Sequence, residues 1–191
     1  MCGRIELDLE ISNPAMQRIR DLLNQQYPDE RITSGEKYPS DLLPIFTAGK
    51  EKPKLAIMRW GFHGSGKSKL VINARSETVT DKLIFKESFI LRRCILPTTG
   101  FIEWSQDGPK TKYLFRLMDD VMVYLAGLYR QYDDGLRFVI LTQAANLSMA
   151  EIHDRMPVII KQTEINPWLN DNDHAKKILK LTGPRLVRTV Y

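Results

Sequence analysis

The chain has 191 residues, is 43 % hydrophobic and 27 % charged, and carries a net charge of +5, which describes a soluble globular protein with a sizeable core. No apolar run nears the roughly 18 residues that cross a bilayer, and no basic stretch followed by an apolar one marks a secretory leader. Two cysteines, Cys2 and Cys94, are too few for a disulfide framework, so a cytoplasmic protein with reduced thiols is expected.

Ile5, Leu7 and Leu9 alternate with Glu6, Asp8 and Glu10, which predicts an opening strand. Ser12-Asn13-Pro14 predicts a helix start, with Met16, Ile19, Leu22 and Leu23 as its apolar face. Residues 28–39 read as polar and irregular. Short strands are then predicted over 55–60, 70–73, 94–96, 100–104, 113–117, 121–125 and 138–142, with turns at Asp107-Gly108-Pro109 and Asp133-Asp134-Gly135. A short helix over 145–152, a strand over 157–160 and a helix over 172–181 ended by Gly183 complete the chain. With no repeat and no linker, residues 1–191 are expected to form one α+β domain.

Charge is unevenly placed. Between Arg59 and Cys94 there are eight basic residues and three acids, while the rest of the chain is balanced. Such a segment fits a polyanion-binding face and a plain solvated surface about equally well.

Gly61, four residues and Gly66-Lys67-Ser68 match the Walker A pattern. A phosphate-binding loop needs a helix N-terminus straight after it. The β-rich Leu70-Val71-Ile72 follows instead, so a hairpin loop between two strands is expected. Cys2, Cys94, His63, His153 and His174 show no metal-ligand spacing, so no metal and no cofactor is expected. Cys94 reads as a buried small hydrophobe.

Cys2 is different. Methionine aminopeptidases remove Met1 when residue 2 is small, which would leave an α-amine and a thiol on adjacent carbons. That amine, with a reference pKa of about 7.7–8.0, can form a Schiff base with an aldehyde. The thiol can then close a five-membered thiazolidine. Position 2 by itself carries little weight, since a cysteine there by chance is the simpler account. Glu103 lies between Ile102 and Trp104, Asn73 follows Leu70-Val71-Ile72, and His153 opens His153-Asp154-Arg155-Met156-Pro157. Each has the chemistry for acid/base or orienting work, but each by itself reads more readily as a buried polar residue that only completes backbone hydrogen bonds.

These segments stand together in one order: Met1-Cys2-Gly3-Arg4, Arg59-Trp60-Gly61, Asn73 to Thr78, Arg92-Arg93-Cys94, Gly100 to Trp104, Ala126-Gly127-Leu128 and Ile152 to Val158. In that arrangement the chain resembles the SRAP family, the SOS-response-associated peptidases or abasic-site-processing proteins. The resemblance implies a bifurcated, mostly antiparallel sheet with a small barrel, surrounded by helices. It implies that Cys2, freed of Met1, captures the ring-opened sugar of an abasic site in single-stranded DNA. Asn73 and His153 would position and protonate the sugar, and Glu103 would be the acid/base. It further implies Arg4, Arg75 and Arg155 near the DNA backbone and Trp60 and Trp104 beside the bases. A monomer associated with the nucleoid when on DNA, and with no membrane partner, is the expected form. The chain departs from the family at Ile102, Tyr129 and Tyr38-Pro39-Ser40, and in residues 64–68 and 186–191. None of these departures removes a proposed catalytic residue. A thiol peptidase using Cys2 and a noncovalent single-strand-binding module are the alternatives.

Overall fold

The computed structural model describes residues 2–64, 70–106 and 108–191. The chain opens with β1 (Arg4–Leu7) and α1 (Pro14–Gln26). Asn13 caps α1 by accepting from the backbone of Ala15 and Met16, and Pro14 takes the first helical position, where a missing N–H costs nothing. Met16, Ile19 and Leu23 are its buried face, close to the expected one.

Next come β2 (Gly35–Lys37), β3 (Leu42–Thr47), β4 (Lys54–Trp60), β5 (Phe62–His63), β6 (Leu70–Val71), β7 (Asn73–Arg75), α2 (Leu83–Leu91), β8 (Arg93–Thr98) and β9 (Gly100–Trp104). The second half holds β10 (Lys112–Leu117), β11 (Val123–Tyr132), β12 (Gly135–Ala144), β13 (Arg155–Pro157), β14 (Ile159–Ile160), α3 (Ile165–Asn170), α4 (Asn172–Ile178) and β15 (Leu186–Val190).

Two sheets carry the fold. One runs β15-β10-β9-β1-β2 and is antiparallel throughout. In the other, β12, β4, β3, β8 and β11 pair in turn, and β11 pairs back to β12, which closes a five-stranded barrel. Closure removes the free edges that an open sheet would leave. The expected α+β architecture with a small barrel is what the chain forms.

β12 is the hub. It takes β4 and β7 in parallel and β11 and β13 antiparallel. At Thr142 it has Arg75 of β7 as one neighbour and Pro157 of β13 as another. Trp60, Phe62, Phe138, Ile140 and Leu125 are fully buried at its core. Trp60 and Phe138 stack with centroids 6.3 Å apart.

Arg93 joins the helices to the barrel. Its buried guanidinium donates to the carbonyls of Phe89 and Ile90 near the end of α2 and of Trp168 and Leu169 in α3, and to Asn172 Oδ1. A cation among carbonyls at helix C-termini satisfies both orphan acceptors and dipoles. The basic run from Arg59 to Cys94 therefore does not form one surface, since Arg93 is 3 % exposed.

Several expectations need correction. Residues 145–152 form turns, not a helix. The polar stretch 28–39 contains β2, while β3, α2 and α3 were not foreseen. Of the Walker-like pattern, residues 65–69 lie outside the described residues, as does Asp107 of the expected turn. The chain on both sides of 65–69 is strand, with Phe62 paired to Val71 and His63 to Leu70. Gly61 is needed for shape: its φ is +109°, and a Cβ there would lie 2.5 Å from Leu70 Cγ.

Candidate active site

Cys2 precedes β1 and is buried, with its thiol 3.7 Å from the Arg4 carbonyl. The Asn73 side chain reaches across from the start of β7. Its Nδ2 donates to the Cys2 carbonyl at 2.9 Å, over a sequence separation of 71 residues. Burial pushes the Cys2 thiol pKa well above its ordinary value, and the nearby charge of Glu103 pushes it the same way. The thiol is therefore protonated at neutral pH.

Glu103 lies on β9, which pairs directly with β1, and is 5 % exposed. A carboxylate in a strand interior is unusual unless it has a task or a partner. The charge of Glu103 is near enough to Cys2 to disfavour the thiolate.

His153 is half-buried, just before β13. Its Nδ1 accepts the Arg155 backbone N–H at 2.9 Å. The Asp154 carboxylate stands 2.8 Å from the same Nδ1.

Arg155 does not lie open to a DNA backbone. It is 9 % exposed and grips Glu77 with both terminal nitrogens at 2.5 and 2.8 Å, and Nη2 also donates to the Thr142 carbonyl at 2.7 Å. The hydrogen bond from Arg155 holds the Glu77 carboxyl down at about 2, against the opposing effect of partial burial. Trp60, expected beside the bases, has no face at the surface. It is fully buried, and its indole N–H donates to the Ile72 carbonyl at 3.1 Å. Trp60 braces the wall from within.

Arg4, Trp104 and Arg75 do reach the surface. Arg75 is exposed at the end of β7. Arg4 stacks on Tyr38, 3.9 Å from the ring centroid, and lies 5.4 Å from that of Trp104. Tyr38 is set by a turn in which Pro39 is followed by Ser40 at φ +76°, the pattern of a type II turn. Sequence reasoning missed Glu36 and Lys112 beside them, because neither stands in a motif. The carboxylate of Glu36 bridges Arg4 and Lys112 at 2.6 Å each. Among the described residues no group of His, Cys, Asp and Glu is arranged to hold a metal ion.

A closed barrel with a cysteine, an asparagine and a glutamate converging where β1 meets it defines a class of α+β protein with a thiol site at its first strand. The family model described as SOS response associated peptidase (SRAP) matches residues 1–189, and this chain belongs to that family. It is 32 % identical over 203 aligned residues to abasic site processing protein YoqW of Bacillus subtilis (strain 168), covering 94 % of this chain and 87 % of that protein. Abasic site processing protein YedK of Escherichia coli (strain K12) is 27 % identical, covering 82 % and 73 %. A crystal structure of a protein from Bacteroides thetaiotaomicron shares the fold at TM-score 0.77 and 22 % identity, covering 99 % of this chain and 91 % of that one.

Proposed function

We propose that this chain processes abasic sites by covalent capture: Cys2, once Met1 is removed, links to the ring-opened sugar in single-stranded DNA. The observation that carries the reading is the Asn73 hydrogen bond to the Cys2 carbonyl beside the Glu103 carboxylate. The names of the relatives, abasic site processing proteins, support the substrate.

The chemistry closes without a cofactor. The α-amine lone pair attacks the sugar aldehyde carbon, and the carbinolamine loses water to give an imine. Sulfur then adds to the imine carbon, and the thiol proton ends on nitrogen. One C–N and one C–S bond form, and the C=O bond is lost. Glu103 is sited to take the thiol proton and return it to nitrogen. His153 is suited by its imidazole to donate to a sugar oxygen. Asn73 fixes the Cys2 backbone so that amine and thiol share one orientation.

A thiol protonated by burial favours this amine-first route over a thiol peptidase. A peptidase needs a thiolate, stabilised by a cationic neighbour, whereas the larger charge effect on the Cys2 thiol is that of Glu103, which opposes the thiolate.

The test mixes the purified protein with an oligonucleotide carrying one abasic site, and resolves it on a denaturing gel beside Cys2→Ala. A shifted band that requires Cys2 is expected. No band from protein shown by mass to begin at Cys2 overturns the proposal. A band from protein that retains Met1 would sink the α-amine step alone.

A further inference from the structure

The bridge formed by Glu36 has a task the capture chemistry leaves unexplained. Ladder register puts Glu36 opposite Glu6, Arg4 opposite Ile102, and Trp104 opposite Lys112. Side chains two apart on a strand share a face, so Arg4, Glu36, Trp104 and Lys112 share one face of the five-stranded sheet. Tyr38 and Tyr191 flank them: Arg4 lies over Tyr38 at 3.9 Å and Lys112 over Tyr191 at 4.3 Å. Lys112 also lies 5.9 Å from the Trp104 ring.

Two cations spaced among three aromatic rings form a platform of the kind single-stranded nucleic acid uses, phosphates on the cations and bases on the rings. Two carboxylates interrupt it: Glu6, which accepts from the Tyr191 hydroxyl at 2.8 Å, and Glu36 opposite it on β2. Glu36 holds both cations at 2.6 Å, and its side chain is only 15 % exposed. Burial opposes its charge, but the hydrogen bonds from Lys112 and Arg4 outweigh that and keep its carboxyl below the usual range. The cations are thus bound to an internal anion at neutral pH.

We infer that Glu36 occupies the seat of a DNA phosphate between Arg4 and Lys112, and so keeps this platform's noncovalent grip on intact single strands weak. This rests on the DNA-capture reading and deepens it. A protein that seals lesions covalently gains selectivity if undamaged strands let go, and an internal competitor for one phosphate achieves that. Lys112 and Tyr191 then belong to the nucleotide path beside Arg4 and Trp104.

The test is done in the full-length Cys2→Ala protein, where capture cannot distort the equilibrium. Binding of intact oligothymidine is followed by anisotropy across a salt series. Glu36→Gln should bind more tightly and with a salt slope steeper by about 0.7 for each phosphate newly engaged. Its advantage should accordingly shrink roughly 2.6-fold per such phosphate between 50 and 200 mM salt. Adding Lys112→Met to Glu36→Gln should erase the tighter binding. An unchanged or weaker Glu36→Gln with an unchanged melting temperature overturns the inference. So does a Glu36→Gln, Lys112→Met double variant that still binds as tightly as Glu36→Gln alone. If Cys2 protein captures abasic DNA but the Glu36 slope is flat, only this inference falls. If no variant binds single strands at any salt, the DNA reading falls with it.

Discussion

Arg155 and Glu77, 78 residues apart, form a two-pronged ion pair that ties the strand after His153 to the turn after Asn73. Both residues flank β12: Arg155 donates to the Thr142 carbonyl, and the backbone N–H of Ser76, beside Glu77, donates to the same carbonyl at 2.8 Å. The pair thereby fixes the spacing between two segments that carry candidate chemistry.

Glu77→Gln should lower stability, because the buried Arg155 guanidinium loses its charged partner. Glu77 is half exposed, so water softens the loss, which should lie near the cost of an ill-satisfied buried donor, about 1–3 kcal/mol. The pH dependence has a definite sign. The carboxyl is held at about 2, below its ordinary 4.5, so the contribution is complete above about 4.5 and fades as pH falls toward 2. Urea melts at pH 7 and pH 3 should show the deficit of the variant shrinking at the lower pH. A deficit equal at both would mean the pair is not the source.

Asn73→Leu should slow crosslinking without weakening noncovalent binding. The substitution removes the hydrogen bond that ties β7 to the Cys2 backbone, and misplacing a reacting group by about 1 Å can cost about 100-fold. Single-turnover rates on an abasic oligonucleotide, measured beside equilibrium binding, separate the two effects. A matched fall in both would make Asn73 a folding residue.

Glu103→Gln should slow crosslinking by about 10²–10⁴-fold, the usual worth of a positioned acid/base. It should also move the Cys2 thiol pKa down, because one of the two causes that raise it is the Glu103 charge. The thiolate absorbance of Glu103→Gln, corrected with Cys2→Ala, should therefore rise at lower pH than in the parent. An unmoved titration would mean Glu103 lies too far from sulfur to exchange a proton with it.

Cys2→Ser should keep the amine and lose the sulfur. The variant is expected to give an adduct only when borohydride reduces the imine, and none that survives a denaturing gel without it. A stable unreduced adduct would show that the thiazolidine is not the product.

Much of the fold could be read from alternation and turn chemistry. The strand over 100–104 appears with its expected limits, and Asn13-Pro14 starts α1 as its capping chemistry requires. β3 was hidden by Pro44, since proline inside a central strand argues against one. It is tolerated because β3 pairs with β8 only at Phe46 and Thr47, so the missing N–H interrupts no ladder there. α2 reads LIFKESFIL, apolar on every side and without a side-chain cap, so no helical period shows. The helix expected over 145–152 fails because Asn146 competes for the backbone. Its Oδ1 accepts from Ser148 N–H, and its Nδ2 donates to the carbonyls of Gly183 and Pro184.

The site divides the same way. Asn73, Glu103 and His153 stand out in the sequence as polar residues in apolar settings, whereas Cys2 stands out only by its place after Met1 and by the family resemblance. Periodicity could not tell that Trp60 points inward while Trp104 keeps a surface, because both follow β-strand alternation. Nor could it find Glu36, whose importance comes from Arg4 and Lys112 lying on neighbouring strands.

The hub role of β12 also governs when the site comes into being. β12 joins β4 and β7 in parallel, across long stretches of chain, and such non-local pairings form slowly because loop entropy is lost before contacts repay it. Asn73 meets Cys2, and Arg155 meets Glu77, only after those strands have docked. A half-folded chain therefore carries the thiol without the Asn73 contact that aims it, and reactivity toward an aldehyde should rise as these strands dock during refolding.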